Sequence, residues 1–151
     1  MLALSGSPTD TISVKIHVKT AIHHEGNEEV YELTTMGRYD KRDEALFLRY
    51  EEIAEEGTIK TIVKISKGEA LILRSGAVKM RMPFRIGEAC IGSYETPYGT
   101  LSTLALANKI DHMDMTDTNR GGHVEIKYDL SIQGETAGTY HLQLTFKEEA
   151  K

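Results

Sequence analysis

The chain has 151 residues, 40% hydrophobic and 27% charged, with a net charge of −5 and a sequence pI near 5.7. That length suits one domain with its own core, and the acidic balance argues against a general nucleic-acid binder, which needs excess Lys and Arg against phosphates. No apolar run approaches the ~20 residues of a membrane-spanning helix, and a single cysteine, Cys90, allows no internal disulfide.

The opening "MLALSGSPTD" lacks the basic and apolar regions of a secretory signal. Ser, Gly, Pro, Thr and Asp dominate residues 5–11, so residues 1–11 are expected to be a flexible tail before a single domain over 12–148. With no N-x-[ST] sequon and one cysteine, the expected location is cytoplasmic. Ile12, Val14, Ile16 and Val18 then alternate with Ser13, Lys15, His17 and Lys19, the period of two of a strand with one wet and one dry face. "HEGNEE" turns the chain into a second strand, "VYELTTMGRY". The stretch "TIKTIVKIS" carries Ile59, Val63 and Ile65 on one side, "KGE" turns it into "ALILRS", and Ser75–Gly76 is a tight-turn candidate. In "AVKMRMPFRI", Val78, Met80, Met82, Phe84 and Ile86 share one face, while Lys79, Arg81 and Arg85 share the other. Val124, Ile126, Tyr128, Leu130 and Ile132 alternate next, and Tyr140, Leu142, Leu144 and Phe146 do so after "GETAG".

Two stretches are ambiguous. "DKRDEALFLRYEEIAEEG" places Leu46, Tyr50, Ile53 and Ala54 on a helical stripe, but Leu46, Leu48 and Tyr50 also face one side of a strand. "GTLSTLALANKIDHM" reads as a helix through Leu101, Leu104 and Ala105, or as a strand through Leu104, Leu106 and Ile110. The neighbouring strands favour strand in both. The predicted fold class is therefore all-β: a single closed antiparallel up-and-down barrel of about 8–10 strands, in which closure removes the exposed edges.

"KTIVKISKGEALILRSGAVKMRM" (60–82), "SYETPYGTL" (93–101) and "GHVEIKYDLSIQG" (122–134) together resemble the YwiB-like family of small bacterial β-barrels. The likeness covers nearly the whole chain after the tail. It implies a closed antiparallel barrel of calycin or lipocalin-like shape, a strand reading of both ambiguous stretches, and no assigned chemistry. The Gly-x-Trp signature of lipocalins proper is missing, since the chain has no Trp. A lipocalin-type ligand therefore does not follow from shape alone.

No nucleophile elbow, phosphate-binding loop, zincin helix or C-x-x-C motif occurs. His23 and His24 are adjacent and point to opposite faces of a strand, whereas His112 and Asp114 share a face, with Asp111 and Asp117 nearby. Two ligands fall short of a metal site, so neither metal nor cofactor is expected. Cys90 has no His near it in sequence to serve as a base and is expected to be a small, buried or half-buried residue. Lys79, Arg81 and Arg85 are expected on a solvated outer face. Arg74 shares parity with Ala70 and Ile72 on a strand apolar on both faces. Pointing inward, it would hold a carboxylate or phosphate head, or pair with Glu51 or Glu52. Tyr94 and Tyr98 flank the Pro97–Gly99 turn and either cap the core or contact a ligand.

Two functions follow. The first is a barrel that binds a small, partly apolar or anionic molecule inside. Met80, Met82, Phe84, Tyr128 and Leu142 would line it, and Arg74, Tyr94 or Tyr98 would fix its polarity. The second is a filled barrel whose outer surface works in a homodimer or with a protein partner. Neither a nucleic acid nor a membrane is an expected partner. An enzyme ranks third, because no converging acid–base set can be named. An interior cavity with a few polar groups would favour the first, and a filled interior with an exposed apolar patch the second.

Overall fold

The computed structural model describes residues 11–149. Its elements are β1 (Ile12–His24), β2 (Asn27–Arg42), β3 (Ala45–Ala54), β4 (Gly57–Ser66), β5 (Glu69–Gly76), β6 (Lys79–Arg85), β7 (Ala89–Thr96), β8 (Gly99–Met113), β9 (Gly121–Ile132) and β10 (Glu135–Glu148). No helix occurs among the described residues, so both ambiguous stretches are strands. The tail expected over 1–11 lies outside the described residues, apart from Thr11.

Each strand pairs antiparallel with the next, and β10 returns to β1, giving a closed ten-stranded barrel. The closing ladder runs from Val14↔Glu148 to His23↔Thr139. This up-and-down order is compatible with the calycin-like shape. The connections are two-residue hairpins, apart from β6–β7 and the longer loop between β8 and β9. Glu25–Gly26 and Gln133–Gly134 turn with positive φ at both residues, which matches the right-handed twist of the strands they join. The turn expected at Ser75–Gly76 falls two residues later, because both residues still pair with β4. The turn expected within "GETAG" is at Gln133–Gly134, and the rest of that stretch already belongs to β10.

Alternation sorts the side chains. Val14, Ile16, Leu46, Leu48, Val63, Ile65, Val124, Ile126 and Leu144 form the inner layer and are almost fully buried. Val78 and Ile86, expected on that face, instead sit in the turns bounding β6, where the strand twist no longer aims them inward. A bulge between Ala107 and Lys109 resets parity in β8. Thr103, Ala105 and Ala107 face in before it and Ile110 after it, so Leu104 and Leu106 face out rather than sharing a side with Ile110.

One end of the barrel is closed by its own chain. Tyr39 of β2 stacks on Phe146 of β10, with centroids 5.1 Å apart, and Met115 of the β8–β9 loop packs against the core beside them. Arg120 ties that loop to Glu148 at 2.8 Å.

Gly37 lets β2 pass close to its neighbours. A Cβ there would meet the carbonyl oxygen of Arg49 and the Ile16 side chain. Overpacking of this kind costs about 1–3 kcal/mol, so Gly37→Ala is expected to lower the unfolding free energy by that amount, read as a lower urea midpoint at unchanged slope. An unchanged midpoint would mean the two strands can separate freely there.

Candidate functional site

The opposite end is ringed by partly exposed side chains, and its geometry follows from register. Arg74 on β5 faces Thr61 on β4 and Met80 on β6. Met80 faces Tyr94 on β7, which faces Leu101 on β8. Across the opening, Tyr140 on β10 faces Tyr128 on β9 and Ile22 on β1. Arg74, Met80, Tyr94, Leu101, Tyr140 and Ile22 are all half-buried, which makes them a rim rather than a core.

Below the rim lies a polar layer. Tyr50 of β3 sits beside Thr61, and both are buried. Burial raises the Tyr50 pKa; the Arg74 charge opposes this and the Glu52 charge adds to it. Thr61 and Arg74 both approach the Tyr50 hydroxyl closely enough to lower its pKa. Even so, Thr61 Oγ1 and Arg74 Nε complete no hydrogen bond, and neither does Thr103 Oγ1. A bond needs alignment as well as approach, and these groups have only the approach. Arg74 makes no ion pair with Glu51 or Glu52, so the structural pair considered from sequence does not form.

Beneath this layer aromatic rings fill the interior. Tyr128 stacks on Tyr140 with centroids 5.2 Å apart and meets Phe84 at 4.7 Å. Burial first, and then the neighbouring Tyr140, push the Tyr128 pKa far above its ordinary value. The expected site residues thus divide by depth. Arg74, Met80 and Tyr94 come together at the rim. Met82, Phe84, Tyr128 and Leu142 lie deeper and are at most 8% exposed. Tyr98 is at the tip of the β7–β8 hairpin and is 98% exposed, so it joins neither the rim nor the interior. Tyr50, Thr61 and Thr103 were missed by sequence reading. A hydroxyl on an otherwise apolar face of "TIVKIS" and "STLALA" was the available signal.

At the closed end, His112 Nε2 lies 3.9 Å from Asp114 Oδ1, and Lys41 holds the other Asp114 oxygen at 2.7 Å. Asp111 approaches His123 instead, at 4.0 Å. Cys90 is half-buried, and its thiol donates to the Glu88 carbonyl at 3.8 Å.

The raised tyrosines set a direction for pH. An unfolded tyrosine loses its proton near pH 10, while burial holds the protons of Tyr50 and Tyr128 on in the fold. Above that pH the folded state binds more protons than the unfolded chain. Stability is therefore fully present below about pH 10 and lost as pH rises toward the folded values. Denaturant midpoints are expected to fall above about pH 10, and Tyr128→Phe should flatten that fall. Equal alkaline slopes in both proteins would show that Tyr128 contributes none of it.

Comparison with known proteins gives the relationship. Residues 16–144 match the family described as a domain of unknown function, DUF1934. The chain is 35% identical over 134 residues to the uncharacterized beta-barrel protein YwiB of Bacillus subtilis, covering 89% of this chain and 92% of that protein. The crystal structure of the Bacillus subtilis ywiB protein superposes with a TM-score of 0.82 at 33% identity, covering 93% of this chain and 94% of that one. With ten strands in one closed ring and that similarity along almost its whole length, the chain belongs to the DUF1934 family of uncharacterised β-barrel proteins.

Proposed function

We propose that the Arg74 end of the barrel binds the acidic head of a small, partly apolar molecule, with Arg74 as the anchoring cation. The observation that carries this reading is the buried Nε of Arg74, which has no hydrogen-bond partner although a hydroxyl of Thr61 lies unsatisfied on the adjacent strand. A buried donor left without a partner costs about 1–3 kcal/mol, and more when charged. A carboxylate or phosphate would complete it with a charge-assisted bond. Met80, Leu101 and Ile132 supply apolar contact around it. Because rings fill the space beneath, the molecule would sit at the rim rather than run down the axis. Octanoate is a suitable probe. Calorimetry is expected to show saturable binding that Arg74→Gln weakens by about tenfold or more. Absence of binding, or equal binding by the variant, would remove this reading.

A second reading is supported by the outer wall. Ile91 is 70% exposed, and its partner Leu104 is 43% exposed. Leu106 and Ile86 are also exposed. This patch would suit a second copy of the chain. Sedimentation equilibrium should then give a dimer that Ile91→Asp converts to monomer, and a monomeric native protein would exclude self-association through this face.

A further inference from the structure

β6 and β7 pair only from Lys79↔Glu95 to Arg81↔Ser93. Beyond Arg81 the two strands part, next to Pro83, which has no N–H to give a ladder. The opening forms a cleft of about 230 Å³ in the outer wall, separate from the rim that carries Arg74. Leu71 and Pro83 face each other across β5–β6 and make an apolar floor, and the Phe84 ring closes the gap from inside.

The polar lining is cationic. Arg81 and Lys64 have no carboxylate partner among the described residues, and Lys64 lies over the Phe47 ring at 5.7 Å. Arg85 is held by Glu69 at 2.6 Å, which fixes one side of the cleft and leaves the other two charges uncompensated. On a chain of net charge −5 this is a local reversal of sign. Low-dielectric walls around like charges concentrate potential and attract counter-ions.

We propose that this cleft is a binding site for a small organic anion, a carboxylate or phosphate carrying a compact apolar group. The anion lies between Arg81 and Lys64, and the apolar group rests on Leu71 and Pro83. The volume agrees with that size: a cavity of ~150 Å³ accepts benzene, so about 230 Å³ leaves room for a ring and one charged group. Drug-sized ligands take roughly 300 Å³ or more, so the cleft itself fits a smaller group.

Cys90 lines the same cleft, and as the sole cysteine it reports occupancy. Phenyl phosphate is expected to slow the reaction of Cys90 with a thiol reagent several-fold and saturably. Inorganic phosphate, or sodium chloride at equal ionic strength, should have much smaller effects. Arg81→Glu and Lys64→Glu should each abolish the protection, whereas Lys19→Glu on a distant part of the wall should retain it. Calorimetry with phenyl phosphate reads the same site without the thiol and should lose its saturable signal in Arg81→Glu. The proposal is overturned if phenyl phosphate neither protects nor binds, if salt protects as well, or if Arg81→Glu behaves as the native chain does. Equal protection by inorganic phosphate would overturn the apolar half of the assignment.

Discussion

The pairing of β1 with β10 is the constraint on which the rest depends. Without it the sheet would end in two of its longest strands, each with a row of unpaired backbone donors and acceptors. With it, every second side chain loses access to bulk water, and an ordinary alternating sequence acquires an inside. The ladder joins Val14 to Glu148, residues near opposite ends of the described chain. Among the described residues it is the one strand pairing that is not between sequence neighbours, so it closes the longest loop of chain.

Closure explains why the fold was legible in the sequence while the sites were only partly so. Strict alternation in β1, β6, β9 and β10 comes from a wall that is dry within and wet without. The blurred stretches have local causes. In β3 the outward Phe47 is covered by Arg42 and Arg49, each 5.3 Å from its ring, so both faces read as apolar. Asp40 is buried beneath the same two arginines, at 2.8 and 2.7 Å, so a buried acidic residue also interrupts the alternation there. In β8 the bulge after Ala107 changes parity midway, and no short pattern announces such a shift. Arg74 shows the same limit: its parity was known, but only register against β4 and β6 says which face is interior.

Two cationic features result, and they differ in kind. Arg74 sits within the ring of strands among hydroxyls, where low dielectric strengthens any bond it makes. Arg81 and Lys64 sit on the outer wall, where water and salt weaken them but where the parted strands allow access. The first favours a few well-aligned contacts, the second a general preference for negative charge. The aromatic stack of Phe84, Tyr128 and Tyr140 runs between them, with Phe84 touching the outer cleft and Tyr140 reaching the rim.

The closed end has a topological consequence. β1 starts and β10 finishes beside the plug formed by Tyr39, Phe146 and Met115, because Ile12 pairs with Tyr39 and Glu148 with Val14. Thr11 and Glu149, the two ends of the described chain, therefore both lie at the end of the barrel opposite Arg74. A linker fused directly to the start of β1 or the end of β10 would thus leave the barrel on the side away from the Arg74 rim.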